Sequence, residues 1–376
     1  MGSDDEESTV RSRSDGERGG GRRFLAVVGW IAVLAASAHL FSSARGLRLI
    51  RRVAWPTDVY AFQQMDFGPI DVAVVGASRA SFGVPPTALD LALAPRIGRS
   101  TQSVNLSRDF ASIFAETALA EDLLRDRTMP AVVVVEVAPE TVNSFHHRNE
   151  TNMAEHVDFG SMTRCFRAAE TLDGWVGCTR PLFRGIERIA PFFAGRVDYR
   201  TDVEWLLVFH GGGQYCYGTP ECDEYNEAYE RDPAHRWDVR LERVKPKIRP
   251  QRYTRFQLGE GIAHESLLDL CAWGRDNGVE VVLLNMPIHR AYQSEIPPDI
   301  YGEYLDYMQG LAIEEGVVFH DANTEDWWDR RDLFLDLDHL NHRGARLLAE
   351  EVAHVVAPLL GHSAESAESA ESAGAG

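Results

Sequence analysis

The sequence predicts an α/β protein in which a parallel sheet is covered by helices on both faces and interrupted once by a long insertion. Three observations lead there. Short apolar runs alternate with helical stretches from Ile70 to the end of the chain. One of those runs, Ala131–Val137, contains four consecutive valines, the composition of a strand buried on both faces. Between Pro139 and about Gly259 the rhythm stops, and Gly, aromatic and charged residues take over, including Gly211-Gly212-Gly213. Strands joined by helices of this length need right-handed crossovers, and therefore pair in parallel.

Taken in order, residues 1–23 are polar, glycine-rich and charged, and are expected to be disordered. Phe24–Ser42 then runs nineteen residues without an acidic or basic side chain other than His39. As a helix it spans about 28 Å, close to the hydrocarbon thickness of a bilayer. No polar face runs along it, unlike a buried soluble helix. An uncleaved, single-pass transmembrane signal anchor is expected, with Ala35-Ala36-Ser37-Ala38 leaving cleavage open. Arginines 11, 13, 18, 22 and 23 precede the span and arginines 45, 48, 51 and 52 follow it, so charge does not fix its orientation. The expectation of an extracytoplasmic domain rests on cysteines instead. Cys165 and Cys178, and Cys216 and Cys222, are close enough for two local disulfides, leaving Cys271 within a predicted helix. Five reduced cysteines are the open alternative.

The folded domain is expected over residues 60–361. Ile70–Val75 reads as the first strand, and Pro85-Pro86 opens a helix to about Leu93. A short strand at Gln102–Val104 precedes a helix over Phe110–Leu124, whose Ile113, Ala120, Leu123 and Leu124 fall near one face. The third strand, Ala131–Val137, leads into the insertion at about 140–259. Helix Glu265–Asn277, strand Glu280–Leu284, helix Ile300–Glu315 and strand Val317–Phe319 follow. Leu347, Leu348, Val352, Val355, Val356 and Leu359 recur at helical spacing and form the last helix. From Ser363 the chain repeats Ser-Ala-Glu, a low-complexity tail over 362–376 expected to lack regular structure.

At 376 residues the chain can hold one large domain with an insertion, or two domains, and a hydrophobic fraction of 44% is enough for a sizeable core. A net charge of −19 argues against a nucleic-acid backbone as partner.

Two segments carry chemistry. Val74-Val75-Gly76-Ala77-Ser78-Arg79 places a serine just after the first strand, where a tight turn can lift its hydroxyl to the carboxyl edge of the sheet. Asp336-Leu337-Asp338-His339-Leu340-Asn341 offers a carboxylate and an imidazole just before the last helix. A serine hydroxyl becomes a nucleophile when a base removes its proton, so Ser78, His339 and Asp336 are the candidate nucleophile, base and orienting carboxylate. Asp336 is preferred because the three-residue spacing lets a turn fold it back under the ring. Asp338, adjacent in sequence, is expected to point elsewhere, and Asp332 lies nearby. Acyl transfer also needs donors for an oxyanion. The candidates are the backbone N–H of Ser78 and that of Ser107 in Asn105-Leu106-Ser107. Arg79 can hold a substrate carboxylate or phosphate, or form a buried ion pair. His289 is expected to line the pocket after the fourth strand. In open parallel sheets ligands bind beyond the carboxyl ends of the strands, which makes the insertion the expected source of selectivity.

Capping of the last helix by Asp338 or Asn341, with His339 on the surface, is the structural alternative for the second segment. His146, His147, Glu150 and His156 match no tight metal spacing and read as a solvated loop, so no metal is expected. Asn149-Glu150-Thr151 has the form of a glycosylation sequon. Asp321 is expected to tie down a loop. Trp327-Trp328 reads as core packing or as a sugar-stacking wall.

Strand-Gly-x-Ser, Asn-x-small after the second strand, and Asp-x-x-His before the last helix together resemble the SGNH (GDSL-type) hydrolase superfamily. The resemblance covers about Ile70–Ala138 and Glu265–Leu360. The Gly76-Ala77-Ser78-Arg79 form, the amino-terminal span and His339-Leu340-Asn341 are most similar to its bacterial membrane-linked members, those of teichoic acid D-alanylation and alginate O-acetylation. It implies a flavodoxin-like three-layer sandwich and serine-dependent hydrolysis or O-transfer of acyl esters on a glycan or polymer of the cell envelope, without cofactor, at the cell membrane and beside a membrane-bound acyltransferase. A non-catalytic carbohydrate-binding or assembly role on the same fold is the alternative. Two features depart from the pattern. Ala77 stands where the hydrolases usually carry aspartate, and Glu136-Val137-Ala138-Pro139 replaces the Gly-x-Asn-Asp block whose asparagine serves the oxyanion, a role for which the resemblance leaves Asn143 as the candidate.

Overall fold

The computed structural model describes residues 69–107, 111–114, 116–117, 120, 129–145, 215–231 and 237–374, with side chains to 361. All belong to one compact unit, Pro56–Arg184 with Gly195–Gly376. The elements in chain order are β1 (Val72–Val75), α1 (Ser78–Gly83), α2 (Pro86–Ile97), β2 (Ser103–Asn105) and β3 (Val132–Val137). The insertion contributes α3 (Pro220–Glu230), α4 (Trp237–Arg243) and α5 (Lys245–Arg252). Then come α6 (Gly261–Asn277), β4 (Glu280–Asn285), α7 (Arg290–Gln293), α8 (Pro298–Glu315), β5 (Val318–Asp321), α9 (Glu325–Trp328) and α10 (His342–Gly374).

The five strands form one sheet in the order β2-β1-β3-β4-β5, every neighbouring pair parallel. That is the flavodoxin-like order, with β1 and β3 at the switch point where chain connections leave in opposite directions. β1 and β3 are buried along their whole length, as their valine runs require. Inward-facing Val72, Val74, Val132, Val134, Val282 and Leu284 pack under α2 and α10 through Leu89, Leu93, Leu348, Val352 and Val356. The alternate residues of the same strands point to the opposite face. There α6 contacts β4, α8 contacts β5, and the two helices contact each other.

Most elements fall within a few residues of the positions the sequence predicts, and the differences have local causes. α1 replaces the expected turn, because its first N–H groups find an acceptor in β3. β5 runs on to Asp321 as a half-buried edge strand. The Ser-Ala-Glu tail continues α10 to Gly374 rather than losing regular structure, since Ala and Glu are strong helix formers extending an existing helix. Residues of the Phe110–Leu124 helix that are described at 113–114, 116–117 and 120 are helical.

Cys216 and Cys222 form a disulfide, and Cys271 is a free, buried thiol in α6. Cys165, Cys178, the Phe24–Ser42 span, the sequon and the His146–His156 cluster lie outside the described residues. Among the described residues no helix is long and apolar enough to cross a membrane.

Candidate active site

The turn that carries Ser78 is built from β1 outward. After Val75 the chain passes through Gly76 and Ala77, and α1 begins at Ser78. A side chain at Gly76 would place its Cβ 2.5 Å from Ala80 Cβ and 2.6 Å from Glu136 Cβ, so this close approach of β1, α1 and β3 admits only glycine. Glu136, the one charged residue of β3, accepts from the N–H groups of Ala77 (2.8 Å) and Ala80 (2.9 Å). It thereby satisfies donors that an opening helix leaves orphaned. The Ser78 N–H meets no acceptor among the described residues. Asn105, at the end of β2, donates to the carbonyls of Ala80 and Val84, both at 2.9 Å, and ties the other side of α1 to the sheet.

The histidine loop lies between Phe334 and Leu340, which form an antiparallel bridge. Inside it, Leu335 N–H donates to the His339 carbonyl at 2.9 Å. Asp336 Oδ1 accepts from three N–H groups: the backbone of Asp338 (3.1 Å), the backbone of His339 (3.0 Å) and His339 Nδ1 (2.8 Å). His339 Nε2 is 2.8 Å from Ser78 Oγ, across a separation of 261 residues. Ser78, His339 and Asp336 thus form one hydrogen-bonded chain, with the Phe82 ring of α1 4.9 Å from the imidazole. Burial works against the Asp336 charge, but the His339 ring and then Arg240, whose Nε is 3.3 Å from Oδ2, hold its carboxyl well below the usual range. Burial also opposes protonation of His339, yet Asp336 and then Asp338 raise it to about 9.

The structure corrects several other expectations. Asn143 is not free to serve an oxyanion. Its amide donates to the carbonyls of Arg252 (3.2 Å) and Arg255 (2.9 Å), and its oxygen accepts from Phe145 and Gln257 N–H groups at 3.1 Å each. It clamps the loop after β3 to the end of α5. The Ser107 N–H is likewise spent, on Asn105 Oδ1 at 2.9 Å, because the turn after β2 folds back on its own side chain. Ser78 N–H is what remains of the expected oxyanion donors. Arg79 takes the ion-pair alternative: it is 5% exposed, with Glu140 at 2.5 Å and Asp338 at 3.3 Å. His289 does not present its Nδ1 to a pocket. That nitrogen accepts from Ala291 N–H at 3.0 Å as the cap of α7, while the ring meets Trp237 and Phe334 edge-on. Its own N–H donates to Leu337 at 3.0 Å, so it supports the histidine loop from behind. Asp321 ties its loop through Asn323 and Asn285. Trp327 packs into the core, and Trp328 donates to Asn323 at 2.9 Å.

Several residues around the site were not anticipated. Glu140 receives Arg79, Arg252 (2.7 Å), Tyr292 (2.7 Å) and Tyr253 (2.8 Å). Burial opposes its charge, but the two guanidiniums and Tyr292 hold it well below the usual carboxylate range. From the insertion, Tyr215 donates to the Leu340 carbonyl (3.2 Å) and Tyr217 to that of His342 (2.5 Å). Glu230 accepts from His342 N–H at 2.7 Å, with Nδ1 at 2.8 Å. Asp336, Asp338 and His339 bring their ligand atoms within 4.8 Å of one another, the one such group among the described residues. They do not suit a cation: Nδ1 and Oδ1 are already in direct contact, and the second carboxylate oxygens face Arg240 and Arg79.

Fold and site together define a parallel α/β protein with a serine–histidine–aspartate chain at the carboxyl edge of its sheet. Two solved structures are similar to it. One, described as a lipolytic protein of the G-D-S-L family from Desulfitobacterium hafniense DCB-2, has a TM-score of 0.35 and 10% identity, covering 76% of this chain and 98% of its own. The other, described as an acylhydrolase from Bacteroides fragilis NCTC 9343, has a TM-score of 0.36 and 10% identity, covering 80% and 95%. No protein-family model and no curated protein matches the chain.

Proposed function

We propose that the protein is a serine-dependent acyl-ester hydrolase or O-acyltransferase of the SGNH (GDSL-type) superfamily. We place it in the membrane-linked branch, anchored by Phe24–Ser42 with the catalytic domain outside the cytoplasm, next to a membrane-bound acyltransferase. Its substrate is an acylated carbohydrate or polymer of the cell envelope. The observation that carries the chemistry is the paired contact at His339, with Ser78 Oγ on one ring nitrogen and Asp336 on the other, each at 2.8 Å.

In this reading Ser78 Oγ attacks the acyl carbonyl carbon as its proton passes to His339 Nε2. The tetrahedral oxyanion is met by the Ser78 N–H. Collapse breaks the bond to the leaving alkoxide, which takes the proton from Nε2 and leaves an acyl ester on Ser78. Water or a sugar hydroxyl then attacks that ester, again giving its proton to His339, and Ser78 recovers it on release. Asp336 stays ionised throughout and fixes the ring.

A second reading, a non-catalytic carbohydrate-binding or assembly component, is favoured by the commitment of Ser107 N–H and Asn143 to other partners. Mass spectrometry after fluorophosphonate treatment separates the two. The enzyme reading expects an adduct on Ser78 that is lost in Ser78→Ala and weakened in His339→Ala; a folded, unlabelled chain supports the binding reading. Turnover of an acetyl ester with and without a glycan acceptor then distinguishes transfer from hydrolysis. Recovery of the full chain in a salt-washed fraction without detergent would reject the anchor.

A further inference from the structure

We propose that Asp338 is a second carboxylate for His339, a positioning residue that shares the imidazolium with Asp336 and can take its place. The inference rests on the reading of Ser78 and His339 as nucleophile and base. Asp338 Oδ1 is 3.5 Å from His339 Nδ1, the nitrogen that already holds Asp336. The other oxygen, Oδ2, is 3.3 Å from Arg79. That guanidinium is itself fixed by Glu140 at 2.5 Å, with Arg252, Tyr253 and Tyr292 behind it. The Asp338 main chain is fixed as well, through the N–H that donates to Asp336 Oδ1. Asp338 is therefore held on both sides with one oxygen turned toward the ring, and only 13% of its side chain is exposed.

A bland ion pair with Arg79 would not need that orientation. The tight turn between Phe334 and Leu340 brings both Asp336 and Asp338 to the Nδ1 side of the imidazole, against the sequence expectation that Asp338 points away. The charged and polar groups facing His339 are Asp336 and Asp338 from its own loop, and Arg79 and the Ser78 hydroxyl from α1. Arg240 of α4 lies beyond Asp336, and the Phe82 ring closes the apolar side. Arg79 opposes protonation of the ring while both carboxylates favour it, so Asp338 offsets the guanidinium it binds. A carboxylate 3.5 Å from Nδ1 needs a shift of well under an ångström to accept its proton if Asp336 is lost.

Two measurements test this. The first is a double-mutant cycle on ester turnover. Asp338→Ala is expected to lower kcat/KM by roughly threefold alone but by about thirtyfold or more in an Asp336→Ala background. The second is carbon-13 NMR titration of His339 in the full chain, assigned by the loss of its signal in His339→Gln. With Asp338→Asn, its pKa should fall by about half a pH unit or more, because a negative neighbour has been removed. The acidic limb of kcat/KM should move down with it, which a merely structural role would not produce. Equal factors in both backgrounds, or an unmoved titration, overturn the proposal. If Asp336→Ala does not fold, the titration alone decides. If fluorophosphonate fails to label Ser78, the enzyme reading fails while the titration still settles the role of Asp338.

Discussion

Raising the pH tests the site through the base it needs. In the proposed mechanism His339 accepts the Ser78 proton only when neutral. Burial alone would make it neutral at low pH, but Asp336 and then Asp338 outweigh that and raise its pKa to about 9. About one ring in a hundred is then neutral at pH 7, and the fraction grows tenfold per pH unit until it levels off. The second-order rate constant for fluorophosphonate inactivation should therefore climb about a hundredfold from pH 7 to its plateau, with the inflection near 9. The assay is residual esterase activity against time at a series of pH values, with spontaneous hydrolysis of the reagent measured in parallel. A rate already level at pH 7, with an inflection near the ordinary imidazole value of 6.5, would refute control of the ring by its carboxylates. Stability has the opposite sign. The folded pKa of His339 lies above the unfolded one, so its contribution is fully present below 6.5 and is lost as the pH rises through about 9. Asp336 is depressed, so its contribution is present above 3.8 and is lost as the pH falls through its lower folded value. The chain should gain activity and lose stability over the same alkaline range.

Two further substitutions probe how Ser78 and His339 are held. Gly76→Ala drives a Cβ to 2.5 Å from Ala80 and 2.6 Å from Glu136, so α1 must shift. Thermal unfolding should show a loss of about 1–3 kcal/mol, with labelling of Ser78 falling far more than the unfolded fraction explains. Glu230→Ala removes the acceptor for both the N–H and Nδ1 of His342 at the start of α10. It should cost about 1–2 kcal/mol of stability and lower kcat while leaving the Ser78 adduct in place; an unchanged kcat would show that the brace does not reach the base.

The parts of the fold that were legible are those whose composition is set by burial. β1, β3 and β4 are apolar on both faces, so a run of valine or leucine marks each within two residues. β5 reached further than its apolar residues because His320 and Asp321 are half-buried at the sheet edge, where polarity is tolerated. Ser-Arg-Ala-Ser-Phe-Gly carries no helical period, and α1 depends on a carboxylate 59 residues away. The signal for that carboxylate was present, since Glu136 is a lone acid in a strand of buried valines. The histidine loop was readable from its three-residue spacing. The fates of Asn143 and Arg79 were not, because their partners Arg252 and Asp338 lie 109 and 259 residues along the chain. Asp338 was misjudged for another reason: opposite orientation of adjacent side chains holds for extended backbone, and this turn is not extended.

The insertion braces the histidine loop. Left to itself the histidine loop has a few backbone bonds of its own, and a short loop so held opens at little cost. General-base catalysis needs the ring held to within about half an ångström of its productive position beside the serine. That precision is supplied from outside the loop. Arg240 of α4 meets Asp336, Tyr215 and Tyr217 hold the carbonyls of Leu340 and His342, and Glu230 of α3 holds the start of α10. Arg252 and Tyr253 reach Asp338 through Glu140 and Arg79. The Cys216–Cys222 disulfide and Asn226, which binds both backbone groups of Cys216, join Tyr215 and Tyr217 to α3. Ser78 and His339 both stand on the sheet domain, yet the orientation of His339 depends on contacts from a segment inserted between β3 and β4. Any change in that segment that altered substrate choice would also reach the imidazole, and selectivity and rate would be expected to vary together.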